Sequence, residues 1–473
     1  MDEKQMLDEK LVFYSKSESY PFHMPGHKRQ WDTDWNPYQI DITEIGGFDN
    51  LHHATGILRD AQTRASQLYG ADKTYYLVNG STCGILAAIS AATKKGDRVL
   101  VARNCHKSVY HALYLRDLVP VYLYPTMTSH GLLGQIKPED VKIALKEHED
   151  ISAVILTSPT YDGMVSDIEE IAKIAHQHQI PLIVDEAHGA HFLLSEEFPR
   201  GALDLGADVV VTGIHKTLPA FTQTALLHLK GNRVKEERVE SFLNIYETSS
   251  PSYLLMAGMD RCIRIMKTSG NEMAKVLIQR LRNFYQDAGQ LKNIKVLQPG
   301  EVSKEEAFSF DFTKILIFPG KTMSGEQLQS LLRKDYGIEL EMACKHYALA
   351  LSSIMDTREG FDRLTAALQE IDKKPEFNKT VEKTTRECRE TIYRPMTKRM
   401  EISKAMDQSH RMVKLEDAVG RVCASYVLVY PPGIPLIVPG EQIDQQFIRD
   451  IQESISMGLE VEGASEEGIN IVN

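Results

Sequence analysis

An α/β fold, built on a mainly parallel sheet with helices on both faces, is the class this sequence predicts. Short apolar runs alternate with amphipathic stretches between residues 97 and 230. Several of those runs are apolar nearly throughout, as strands covered on both faces are. The chain, at 473 residues, is long enough for a sizeable core. At about 150 residues per domain it can form two or three domains, or one large α/β unit. Strand–helix alternation of this kind gives a parallel sheet whose ligands collect at the carboxyl ends of the strands.

Residues 1–40 read as an irregular arm that contains PFHMPGHKRQ, Trp31 and Trp35. Leu58–Leu68 reads as a helix. Strands are expected at DRVLVA (97–102), VPVYLY (119–124), ISAVILTS (151–158), IPLIVDEA (180–187), ADVVVTG (207–213) and TALLHLK (224–230), with helices at Pro138–His148 and Asp167–His178 among them. A long helical stretch from about Ser252 to Leu291 leads into a second domain, where EAFSFDFTKILIF (306–318) and the segment near 336–352 read as strands. Residues 370–390 are polar and charged, as in a linker or exposed helix. The tail carries YVLVYPPGIPLIVPGE (426–441), an apolar run broken by four prolines. The boundaries that follow are an N-terminal arm (1–45), a major domain (46–290) and a smaller α+β C-terminal domain (291–473). No internal repeat or low-complexity tract interrupts them.

Composition narrows the function classes. Hydrophobic residues make up 42% and charged residues 25%, a globular balance. No run of about 18 apolar residues is present, so no spanning helix and no membrane partner are expected. The start, MDEKQMLDEK, is charged where a secretory leader is apolar. The six cysteines are scattered without a C-x-x-C pair, which fits a reducing cytoplasm and argues against disulfides or a cysteine-rich zinc site. The net charge of −11 argues against a nucleic-acid partner.

Four local signals bear chemistry. Asp185, in PLIVDEAHGAH, is a carboxylate at the end of an apolar strand, with Glu186 and His188 close behind. It is either a cap or structural ion pair, or the partner of a cationic ligand group. Lys216, in DVVVTGIHKTL, follows another apolar strand 31 residues later. That separation is about one strand–helix–strand unit, so both side chains can open onto one crevice. A lone lysine there is ordinarily surface, but one paired with a strand-end aspartate suits a carbonyl-bonding lysine beside a pyridinium partner. Gly80, Ser81 and Thr82 precede an Ala-rich helix, where N–H groups, hydroxyls and the helix dipole favour a phosphate, or where a plain N-cap suffices. His106 follows a strand, where it can stack on a flat cofactor or serve a structural role. His176, His178, His188 and His191 match no metalloprotease spacing, and no metal is expected.

These signals in this order, together with PFHMPGHK, FDNLHHATGIL, VDEAHGAHF, HKTLPAFTQTA, TSSPSYLLMA and YPPGIPLIVPGE, resemble the ornithine/lysine/arginine decarboxylases. Those enzymes use pyridoxal 5′-phosphate on the aspartate-aminotransferase-like fold (fold type I), and the chain is most similar to their short bacterial members. The blocks span residues 21 to 441. The resemblance implies that Lys216 bonds the cofactor's aldehyde, Asp185 pairs with the pyridinium nitrogen and His106 stacks on the ring. It implies that Ser81, Thr82 and His215 help hold the phosphate, that His188 lies near substrate, and that Ser249 and Ser250 reach the phosphate of a neighbouring subunit. The implied activity is decarboxylation of a basic amino acid, arginine to agmatine first and lysine or ornithine next. The implied setting is polyamine metabolism, in a cytoplasmic homodimer or larger homo-oligomer with sites at the subunit interface. Transamination and lyase chemistry share this fold, and so would a non-catalytic regulatory relative.

Departures mark the chain's own chemistry. Gly213 stands where related chains commonly have serine, and Thr212 is the expected replacement for that hydroxyl. Ser425 stands where many short arginine-decarboxylase-like members have glutamate, and Lys345 introduces a cation into the 341–356 segment. MPGHK is either arm packing or, if the arm crosses to a second subunit, places His27 and Lys28 near that subunit's site. The YPPGIP block is expected to be a rigid segment packed near the site mouth.

Overall fold

A computed structural model of the chain describes residues 7–30, 36–320, 323–374, 394–430, 433–456 and 459–473. Its centre is a seven-stranded sheet of β1 (Lys73–Leu77), β2 (Arg98–Ala102), β3 (Val119–Leu123), β4 (Ile151–Thr157), β5 (Leu182–Asp185), β6 (Val209–Thr212) and β7 (Ala225–Leu229). The strand order is β1-β7-β6-β5-β4-β2-β3. β7 runs antiparallel to both neighbours and the remaining pairs are parallel. The expected strands each shorten by a residue or two at their ends. β1 has no counterpart among them: KTYYL opens on a lysine and carries two tyrosines, so it lacks the continuous apolar run of its neighbours.

Helices α1 (Ile57–Tyr69), α2 (Gly80–Ala92), α3 (Lys107–Leu115), α4 (Pro138–Glu147) and α5 (Ile168–Gln177) flank the sheet. α1 ends at Gly70, whose φ of 65° supplies a left-handed cap. α2 presses directly on the strands: a Cβ at Gly84 would lie 2.6 Å from Leu77 Cδ1 and 2.9 Å from Val211 Cγ1. That glycine lets α2 lie close enough to aim its N-terminus across the strand ends. Ile183, Val184, Val209, Val210 and Val211 are fully buried beneath, each contributing about 1.5–3 kcal/mol.

The 36-residue α6 (Tyr253–Ala288), capped by the Ser252 hydroxyl, carries the chain to a second sheet. There β8 (Lys295–Val296), β9 (Lys314–Phe318), β10 (Met342–Ala343) and β11 (Ala348–Leu351) pair antiparallel in the order β8-β9-β11-β10. The expected strand over 306–318 is broken in two. Ser309–Phe310 pairs with Met164–Val165. Asp311 then accepts from the Thr313 N–H at 3.0 Å and turns the chain into β9.

The arm is not irregular throughout. Leu7–Ser15 is helical, and Tyr20–Phe22 pairs parallel with Ile338–Leu340. The fully buried Phe22 meets Phe361 edge-on, with ring centroids 5.8 Å apart. Trp31, Trp35, residues 375–390 of the expected linker, and Pro431 and Pro432 lie outside the described residues. Toward the C-terminus a separate apolar core gathers Leu415, Val427, Ile437, Phe447, Ile451 and Ile469. Among the described residues no helix is long and apolar enough to cross a membrane.

Candidate active site

The sheet delivers its polar residues to one crevice at the carboxyl ends of its parallel strands, as the topology requires. Asp185 is the last residue of β5, in register with Thr157 of β4. Lys216 lies in the single helical turn Ile214–Thr217 after β6. His106 follows β2 and caps α3, its ring accepting from the Ser108 N–H at 3.2 Å. Gly80 opens α2 with φ +76°, and the Ser81 hydroxyl is buried there without a hydrogen-bond partner. A Cβ at Gly213 would lie 2.8 Å from the Ala187 carbonyl, 3.1 Å from Ser81 Oγ and 3.2 Å from Lys216 Cδ. Ser81, Gly213 and Lys216 are therefore immediate neighbours, and serine at 213 would crowd Ser81, Lys216 and the Ala187 carbonyl. Thr82, next on α2, is exposed.

The charges are buried together. Lys216 Nζ lies 3.1 Å from His188 Nε2. Burial lowers the lysine's pKa, while Asp185 and Glu341 pull it back up. Asp185 is pushed up by burial and drawn down by Lys216 and by the Ala187 N–H, which donates to it at 3.1 Å. Burial holds His106 at about 3, with Lys216 adding to the effect. His215 donates through Nδ1 to the Thr224 carbonyl at 2.7 Å. Burial keeps that ring at about 4, so only an anion beside Nε2 would protonate it. His188 is held well below the ordinary range by burial, then by Lys216 and Lys314.

Thr212 does not join this group, and the expectation that its hydroxyl replaces a missing serine is corrected. Thr212 Oγ1 bonds His228 Nε2 at 3.1 Å, and His228 Nδ1 bonds Thr74 Oγ1 at 2.9 Å. Strand alternation turns Thr212 away from the face that Val211 shares with α2. Ser249 and Ser250 are exposed on a loop whose Thr248 carbonyl bonds His52 at 2.9 Å. The four histidines first weighed as a metal set take separate partners: His176 meets Asp208, His191 meets Asp311, His188 meets the lysines, and His178 ends α5.

The MPGHK segment stays with its own chain. The Gly26 N–H donates to the His215 carbonyl at 2.7 Å. Lys28 is buried, with Nζ 2.6 Å from the Leu351 carbonyl, 2.9 Å from that of His23 and 3.9 Å from Asp356. These contacts hold the Lys28 side chain inside its own chain, while His27 is half-buried. Lys345 pairs with Glu453 on the surface, at 2.6 Å. Arg103 ties the YPPGIP block to the loop that carries His106, donating to the Pro435 carbonyl at 2.6 Å, the Leu436 carbonyl at 3.1 Å and Glu441 at 3.2 Å. The Lys107 N–H reaches the Gly433 carbonyl at 3.1 Å.

Sequence reasoning missed three residues of the site. Lys314, from β9, lies 2.8 Å from His188 Nδ1. Glu341 accepts from the Tyr161 hydroxyl at 2.6 Å and the Met24 N–H at 2.8 Å. The Tyr161 ring stands edge-on to His188, with centroids 5.0 Å apart. A lysine inside the apolar run FTKILIF was a usable signal; Glu341 and Tyr161 carried none.

The fold and crevice define an enzyme of the fold type I class, whose members work through pyridoxal 5′-phosphate. The residues present fit that cofactor: an amine in the crevice, a strand-end carboxylate for a ring nitrogen, and a helix N-terminus with an unpartnered hydroxyl for a phosphate. Residues 6–316 match the Orn/Lys/Arg decarboxylase major domain, and residues 381–458 match that family's C-terminal domain. The chain belongs to the Orn/Lys/Arg decarboxylase family. It is 37% identical to the uncharacterized protein YaaO of Bacillus subtilis, over 96% of this chain and 95% of that one. It is 31% identical to an arginine decarboxylase of the same organism, over 98% and 96% of the two chains. A lysine decarboxylase structure from Francisella novicida superposes with a TM-score of 0.77 at 19% identity, covering 98% of this chain and 80% of that one.

Proposed function

We propose that this chain decarboxylates a free cationic amino acid, with arginine the first substrate and lysine or ornithine next. The observation that carries the reading is the half-buried Lys216 amine, 3.1 Å from His188 and under the pull of Asp185 at the end of the adjacent strand. When bound, pyridoxal 5′-phosphate supplies the electron sink for the pair left on Cα as the carboxylate departs as CO2. Lys216 offers the amine for the cofactor's aldehyde and, once displaced by substrate, holds a proton for Cα. Asp185 keeps a ring nitrogen protonated by its negative charge. Gly80, Ser81 and Thr82 offer N–H groups and hydroxyls to the phosphate, with His215 Nε2 as a further donor once the anion raises its pKa. His106 would cover the ring face, and His188, 3.1 Å from Lys216, would face the substrate. Ser249 and Ser250 are exposed, as residues completing a neighbouring subunit's site in a homodimer would be. The buried thiols Cys83, Cys105, Cys262 and Cys423 fit a cytoplasmic setting, where the agmatine, cadaverine or putrescine formed would enter polyamine metabolism.

Arginine comes first because relatives that align end to end with this chain carry that name. The test is CO2 release and amine analysis with cofactor-loaded protein offered arginine, lysine and ornithine, with Lys216→Ala as the blank. Agmatine above the blank is expected. Keto acid without CO2 would make the enzyme an aminotransferase, and silence on all three amino acids would contradict the substrate class.

A further inference from the structure

Glu247 is a buried carboxylate beside the turn assigned to a phosphate. It follows the helix Glu236–Tyr246, and 7% of it is exposed. Burying a carboxylate is costly unless hydrogen bonds compensate. By charge alone it also repels an anion bound close by. Packing would be met better by an apolar side chain, so the carboxylate needs another reason.

Its hydrogen bonds supply one. Glu247 Oε2 accepts from the N–H groups of Val78 at 3.1 Å and Asn79 at 3.4 Å. Its Oε1 accepts from the Thr248 N–H at 3.2 Å. Val78 and Asn79 form the turn between β1 and α2, immediately before Gly80 and Ser81. Thr248 opens the loop that carries Ser249 and Ser250. One carboxylate, with an oxygen on each, therefore holds two segments that are distant in the chain.

The turn depends on such partners. Val78 lies just past Leu77, where the ladder to β7 ends, so its peptide groups have no strand to bond. Glu247 takes its N–H, and the Gln223 side-chain amide donates to its carbonyl at 2.5 Å. The Asn79 amide reaches the Tyr246 carbonyl at 3.3 Å, and the Cys83 thiol faces Glu247 from α2. The Ser81 hydroxyl, by contrast, is buried without a hydrogen-bond partner. The backbone leading into α2 is pinned, and the group left over is the one offered to the anion.

We infer that Glu247 is a positioning residue for the cofactor's phosphate: its carboxylate ties the turn before Ser81 to the loop of Ser249 and Ser250, and so holds the Gly80–Ser81 backbone and hydroxyl in the shape that receives the anion. The inference rests on the reading that Gly80 and Ser81 hold the phosphate. It deepens that reading by naming the side chain that shapes them.

The test compares pyridoxal 5′-phosphate with pyridoxal, which has the same ring and aldehyde and lacks the phosphate. Full-length wild type, Glu247→Gln, Glu247→Ala and Ser81→Ala, freed of cofactor, are titrated with each aldehyde and followed by its absorbance. Glutamine keeps the shape of glutamate but has one acceptor oxygen, so it serves only one of the two segments. The dissociation constant for pyridoxal 5′-phosphate is expected to rise about tenfold in the Gln variant and further in the Ala variant, the scale of lost hydrogen bonds to a charged group. The constant for pyridoxal should stay at the wild-type value, which also reports an intact fold and a reactive Lys216. The Gln variant decides the matter if the Ala variant does not fold. Equal weakening toward both aldehydes would make Glu247 a structural residue and overturn the inference. Tighter binding of the phosphate form by the Gln variant would overturn it too, because charge repulsion would then outweigh positioning. Ser81→Ala separates the inference from the reading beneath it. A phosphate-specific loss there with none at Glu247 overturns the inference alone; no phosphate-specific loss in any variant removes the phosphate from this turn and the inference with it.

Discussion

Thr212 ends β6 and Gly213 opens the turn that carries Lys216, and their chemistry divides accordingly. Thr212 belongs to the buried chain Thr74–His228–Thr212 under the tilted ring of Tyr69, whose centroid is 4.4 Å from that of His228. Thr212→Val should cost about 1 kcal/mol of stability, the net worth of one buried hydrogen bond, and leave cofactor affinity unchanged. A urea titration and a cofactor titration, run side by side, check both halves. Reduced affinity at full stability would return Thr212 to the crevice. Asp185, Lys216 and His106 were legible in the sequence because each is a polar residue placed just where an apolar run stops. Lys314, Glu341 and Tyr161 were not, because they reach His188 and Lys216 only when the second sheet folds against the first. Alternation along VVVT already held the placement of Thr212; the family pattern drew attention past it.

At the scale of elements, helices and parallel strands followed from periodicity, whereas the breaks did not. Asp311 splits an apolar run by capping its own turn, and β1 pairs at the sheet edge on a tyrosine-bearing segment that composition does not mark. The loop leading into α1 is a third case. Asp49 accepts the N–H groups of Thr55 at 3.0 Å, Gly56 at 2.7 Å and Leu58 at 3.1 Å. Burial pushes its carboxyl up, but those donors and the Asn50 N–H outweigh it and hold the group at about 2, below its ordinary 3.8. Because the folded value lies below the unfolded one, this stabilisation is fully present above about pH 4 and fades as pH falls toward 2. Asp49→Ala should cost about 1 kcal/mol, the worth of a typical cap, and should remove that part of the acid dependence. Thermal melts at pH 6 and at about pH 3 check it: the gap between variant and wild type should narrow in acid.

Across the whole molecule, one buried cation joins the C-terminal unit to the sheet that carries the site. Arg103 and Glu441 have 5% and 2% of their side chains exposed and lie 3.2 Å apart. The same guanidinium holds the Pro435 and Leu436 carbonyls. Arg103→Met strands Glu441 without its cation, which should cost about 3–5 kcal/mol. Hydrogen exchange should then quicken over residues 433–441 before it quickens in the central sheet. Uniform quickening would mean that the C-terminal unit is not separately anchored. The same architecture buries Lys28 and Lys314 and half-buries Lys216 around one crevice, and only one of the three is assigned the cofactor's aldehyde. Borohydride reduction of the protein loaded with pyridoxal 5′-phosphate, followed by peptide mass spectrometry, tests that assignment directly. A single pyridoxyl group on the peptide containing Lys216 is the predicted result; the same group on Lys28 or Lys314, with Lys216 unmodified, would contradict it.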